Sequence, residues 1–154
     1  MQIHTSNSVS VIAIQIRTTL ETINRDVGEL PESLAADIIQ LGIKPTGPMM
    51  FLYNDVTADP KKPFDMRIAS PVSQEDAARY SGEHTVTRLE PFSFVEIVLH
   101  GDLAGLAERA YQPLLKQIGE RGLSMTGFSR EVYQNFENPS SADNETRVQI
   151  GVSV

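Results

Sequence analysis

Cysteine and tryptophan are both absent from the 154 residues. Without thiols there is no disulfide framework, no Cys-ligated zinc and no sulfur nucleophile. Long apolar runs are missing too, since no stretch approaches the ~18 residues of a membrane helix. Basic residues are in the minority, 13 Lys and Arg against 20 Asp and Glu, and the formal net charge of −7 repels a phosphate backbone. With no local basic cluster, direct nucleic-acid binding is not expected. His4, His84 and His100 are too scattered in sequence to place two metal ligands on one face. No phosphate loop and no dinucleotide fingerprint occurs, so neither a metal nor a cofactor is expected. Met1 to Ser10 has no basic leader, and Val9 to Ile16 alternates with polar residues, which reads as a cytoplasmic protein.

What remains suffices for a folded domain: 40% of the residues are hydrophobic, too many for a disordered chain. An internal repeat organises them. Gly42-Ile43-Lys44-Pro45-Thr46-Gly47 and Gly122-Leu123-Ser124-Met125-Thr126-Gly127 share Gly-apolar-x-x-Thr-Gly, 80 positions apart. Upstream of the first, Leu30, Leu34, Ile38 and Leu41 recur at helical spacing, with Pro31 suited to a first turn. Upstream of the second, Leu103, Leu106, Ala107, Ala110, Tyr111, Leu114, Leu115 and Ile118 do the same. Pro113 should kink or break that second helix. Each helix is preceded by an alternating strand, Ile12, Ile14, Ile16 in one half and Val95, Ile97, Leu99 in the other. Each is followed by two more strands: Met50 to Asn54 with Phe64 to Val72, then Arg130 to Asn135 with Thr146 to Val154. The expected fold is therefore α+β: two pseudo-symmetric β-α-β-β repeats, about 8–72 and 91–154, joined by a polar connection at 73–90. Together they form a single domain, an antiparallel sheet with helices on one face and a ligand groove on the other.

Strand alternation then assigns faces. Taking Val95, Ile97, Leu99, Val132, Val148, Ile150 and Val152 as the helix side leaves Phe94, Glu96, Val98, His100, Glu131, Tyr133, Arg147 and Gln149 facing the groove. The first half adds Gln15, Met49, Phe51, Tyr53 and Arg67. A carboxylate beside tyrosines, with aromatic and methionine walls, suits flat cationic or amphipathic molecules. Ring faces attract cations, and a desolvated carboxylate supplies the counter-charge. His100, closing its strand, could donate to such a ligand.

Glu131-Val132-Tyr133, preceded by Gly122-Leu123 and Thr126-Gly127 and followed by a polar loop and a final alternating strand, resembles the second half of the GyrI-like small-molecule-binding domains. Gly47-Pro48, Tyr53, Asp55, Phe64-Asp65 and Pro71-Val72 resemble the first. These are the AraC-type effector-binding domains of multidrug-responsive bacterial transcription regulators, and the likeness spans roughly Ser8 to Val154. It implies a cleft between the repeats with Glu131 as the electrostatic partner of cationic ligands. Some stand-alone members are hydrolases that use a glutamate and a tyrosine, which would make Glu131 and Tyr133 catalytic. Two departures stand out. Arg147 occupies a last-strand position that is acidic in many members, and beside Glu131 it would neutralise that charge. Gly101-Asp102-Leu103 replaces a Gly-Pro-Tyr step. No helix-turn-helix precedes the first strand, so a stand-alone domain is expected.

The leading expectation is thus a non-enzymatic protein that binds amphipathic aromatic cations for sensing or sequestration, using Glu131, Tyr133, Tyr53, Phe51, Met49, Phe94, Glu96, His100 and Arg147. A hydrolase acting on toxin-like small molecules is the first alternative. The second is a protein partner, as for an inhibitor of a DNA-binding enzyme that works through its acidic surface.

Overall fold

A computed structural model describes residues 2–153. Met1 of the N-terminal reading and Val154 of the last expected strand lie outside them. The chain forms two compact units, one of Ser8–Glu90, the other of Pro91 onward together with the N-terminal segment through Asn7.

The Ser8–Glu90 unit contains β2 (Val9–Thr18), α1 (Ile23–Val27), α2 (Leu30–Gln40), β3 (Met50–Asn54), β4 (Phe64–Val72), α3 (Gln74–Arg79) and β5 (Thr85–Leu89). Its strands run in the order β3-β4-β2-β5, all antiparallel. The polar segment 73–90 is therefore more than a connection. Ser73 caps α3 through Asp76 N–H at 3.0 Å, and β5 adds an edge strand to β2. On one sheet face Ile12, Met66, Ile68 and Phe64 pack against Leu34 and Ile38 of α2, both fully buried.

The second unit contains β1 (His4–Thr5), β6 (Ser93–His100), a π-helical turn at Ala107–Tyr111, α4 (Gln112–Glu120), β7 (Met125–Asn135) and β8 (Glu145–Val152). Its order is β1-β6-β8-β7. Val95, Val148, Ile150 and Val152 pack against Ala110, Leu114 and Ile118. The same grammar recurs at the same offset: Leu34 and Ile38 in one unit, Leu114 and Ile118 in the other, are 80 residues apart. Both helices stop the same way. Gly42 and Gly122 take φ of 74° and 65°, while Ile43 and Leu123 donate back to the carbonyls of Ile38 and Ile118. That closure needs a left-handed residue, which glycine adopts without a Cβ clash.

Pro113 has the effect its chemistry dictates. A proline inside a continuous α-helix loses one hydrogen bond and crowds the preceding turn. Here the helical periodicity breaks into a widened π turn, and α4 then starts with Pro113 in its first turn. Residues 103–105 stay outside the helix, and Gly105 has a φ of 72°.

One position breaks the packing pattern. Thr146 is fully buried and, among the described residues, its Oγ1 has no hydrogen-bond partner, whereas the residue 80 positions earlier, Met66, fills the core with a thioether. An unmet buried hydroxyl costs about 1 kcal/mol or more. Thr146→Val should therefore raise the melting temperature by roughly 2–4 °C. A thermal melt showing a lower value would mean the hydroxyl is satisfied in solution.

A buried carboxylate between two tyrosines

Directly opposed residues of an antiparallel pair share a sheet face. In β7 and β8, Glu131 lies opposite Val148 and Tyr133 opposite Thr146, and Val148 in turn lies opposite Ile97 of β6. Val148 is fully buried in the core under α4. Glu131 and Tyr133 therefore sit on the helix face, contrary to the expectation that placed them on the far side. The reason is parity. Val132 is apolar and so marks the core side by pattern alone, yet it opposes Arg147 and is buried on the other face, and a shift of one residue inverts a whole strand. Phe51 and Tyr53 move likewise. They oppose Ile68 and Met66 on the helix face of their own unit, where Met49 also packs, whereas Gln15 and Arg67 oppose each other on the other face.

On the helix face, Glu131 is only 4% exposed, and each of its oxygens accepts a phenol. Tyr111 Oη donates to Oε2 at 2.5 Å and Tyr133 Oη to Oε1 at 2.6 Å. These lengths are those of hydrogen bonds to a charged acceptor. Both tyrosine hydroxyls are pushed well above their ordinary pKa, first by burial and then by the negative charge of Glu131. They therefore remain protonated donors throughout the physiological range. Phe136 stands edge-on to Tyr133, centroids 6.1 Å apart. The Ser8–Glu90 unit has no counterpart to this acid: Tyr53 matches Tyr133, but Phe51 holds the place of Glu131 and Pro31 that of Tyr111, each 80 residues earlier.

Tyr111 appeared in the sequence only as one apolar position of a helical series. The available signal was chemical: a tyrosine on the buried face of a helix must find a partner for its hydroxyl. Its position comes from the π turn that ends at Tyr111, just before Pro113.

The opposite face of this unit holds the remaining candidates. Arg147 Nη1 is 3.1 Å from Glu96 Oε1 and its Nη2 is 3.5 Å from Glu145 Oε2. Gln149 Nε2 donates to Glu96 Oε2 at 2.5 Å and its Oε1 accepts from Arg130 Nε at 2.5 Å. The Arg130 guanidinium lies 4.7 Å from the centre of the Phe92 ring and 5.7 Å from that of Phe94. Arg147 thus finds its counter-charges in Glu96 and Glu145 and lies on the opposite face from Glu131, so the condition under which it would neutralise that carboxylate is not met. His100 is exposed at the end of β6, opposite Glu145. Among the described residues, no group of three or more His, Asp or Glu is placed to hold a metal ion. No helix among them is long and apolar enough to cross a membrane.

No protein-family model matches the sequence, and no curated protein does. Solved structures do. The EcmrR C-terminal domain superposes with a TM-score of 0.78 at 17% identity, over 99% of this chain and 96% of that one. The longer EcmrR chain in its DNA complex gives 0.78 at 15% identity, and this chain spans 56% of it. SAV2435 bound to tetraphenylphosphonium gives 0.68 at 12% identity, covering 99% and 93%. At these identities the likeness is one of fold, and the fold is the α+β arrangement shared by the EcmrR C-terminal domain and SAV2435.

Proposed function

We propose that this protein is a GyrI-like effector-binding protein that takes up amphipathic aromatic cations at Glu131, for sensing or sequestration. The observation that carries this reading is the Glu131 carboxylate, buried in a mainly apolar layer and held by two phenols. A carboxylate in such a place attracts a delocalised cation far more than one in water does, because little solvent screens it. A hydrophobic cation in turn loses little hydration on entering, and the rings of Tyr111, Tyr133 and Phe136 offer it negative faces. The pairing of Arg147 with Glu96 leaves that preference intact. The tetraphenylphosphonium bound in SAV2435, which has the same fold, supports the ligand class.

Calorimetric titration with tetraphenylphosphonium tests it, with triphenylphosphine oxide as a neutral aromatic control. The cation should bind with micromolar affinity and the control at least tenfold more weakly. Mass spectrometry after incubation should return rhodamine, as a second cation, unchanged. Equal affinity for cation and control overturns the reading, and a chemically altered ligand replaces it with hydrolysis through Glu131 and Tyr133.

A further inference from the structure

The two units carry an arginine at the same place in their sheets, and among the described residues only one of these arginines has a counter-charge. Arg147 of β8 faces Val98 and Val132 across its neighbouring strands; Arg67 of β4 faces Gln15 and Leu52. Glu96, which pairs with Arg147, opposes Gln149, and the matching pair in the other unit is Ala13 opposite Ala69. The partner carboxylate has thus been replaced by a methyl group. The second acid, Asp65, matches Glu145, but it is engaged by Arg17 at 3.0 Å. Among the described residues, Arg67 forms no hydrogen bond and no ion pair. Its guanidinium is half-buried, and desolvation alone lowers its pKa.

Arg67 lines a cavity of about 260 Å³ together with Gln15, Asn54, Asp65 and Met66. A half-desolvated guanidinium with no counterion is unfavourable, and an incoming anion relieves the penalty. Its planar fork of N–H donors matches the two oxygens of a carboxylate. The side-chain amides of Gln15 and Asn54 stand beside it, neither in a hydrogen bond among the described residues, and add further donors. Arg17, Asp65 and Arg67 sum to one positive charge, so a second negative charge on the ligand would meet Asp65 uncompensated. The cavity is also smaller than a drug-sized pocket. We propose that this cavity binds the carboxylate of a small organic monoanion, held by Arg67 with Gln15 and Asn54. It lies wholly within the Ser8–Glu90 unit and has the opposite charge preference to the Glu131 site.

Benzoate titrated into isotope-labelled protein, followed by NMR at the Arg67 Nε–H and the two amide side chains, provides the test. A saturable shift with a Kd near or below about 1 mM is expected. Sulfate, a dianion, should bind at least tenfold more weakly. In Arg67→Gln the benzoate shifts at the amides should weaken at least tenfold while tetraphenylphosphonium affinity is unchanged. Gln15→Leu, at an exposed position, provides a second variant that leaves the charge in place and should weaken benzoate severalfold. The absence of a saturable shift, an undiminished response in Arg67→Gln, or sulfate binding as tightly as benzoate would each overturn the proposal.

Discussion

Glu131→Gln should lower the affinity for tetraphenylphosphonium roughly a hundredfold. A unit cation about 6 Å from a carboxylate at an effective dielectric constant of about 20 gains about 2.8 kcal/mol, which corresponds to that factor. Glutamine keeps the shape of the side chain and can still accept from one phenol while donating to the other, so the hydrogen bonds at Tyr111 and Tyr133 are redirected and not lost. The fold should therefore survive with an unchanged or slightly higher melting temperature, because burying an amide costs less than burying an ion. Calorimetry on both proteins, at matched ionic strength, separates the outcomes. Equal dissociation constants would remove Glu131 from the account, and a large loss of stability would show that its charge serves the fold.

Leu114→Ala should destabilise the protein by about 2–5 kcal/mol, the range for truncating a leucine whose site cannot collapse. Leu114 is 1% exposed and packs from α4 onto the sheet that holds Glu131. Its neighbour Leu115 is 42% exposed, so Leu115→Ala should change stability by less than about 0.5 kcal/mol. Urea denaturation reads both. Comparable effects at the two positions would mean that the helix does not present the face seen here. Leu34→Ala, at the equivalent place in the other unit, should match Leu114→Ala.

Much of this architecture was legible in the linear chain because the interactions that specify it are local. The glycine stops at Gly42 and Gly122, the leucine and isoleucine stripes before them, and the alternating runs at β2, β6 and β8 each reflect a period set by backbone geometry. The pairing of Glu131 with Tyr133 was also legible, since residues two apart on a strand must share a face. Less was legible at β3 and β7. Leu52 and Val132 are buried on the face away from the helices, so apolar character there did not distinguish the two sides. The edge strand β5 hid inside a polar segment because its partner, β2, supplies the pairing that its own sequence does not advertise.

By itself, then, the amino-acid order determined the repeat, most of its elements and the chemistry available on each strand. The tertiary structure alone decided which side of β7 meets α4, and therefore that Tyr111, 20 residues away along the chain, closes over Glu131. Strand parity is a relation between a strand and its neighbours: every residue of β7 has an equally good local conformation with either face inward, and only the register against β8 selects one.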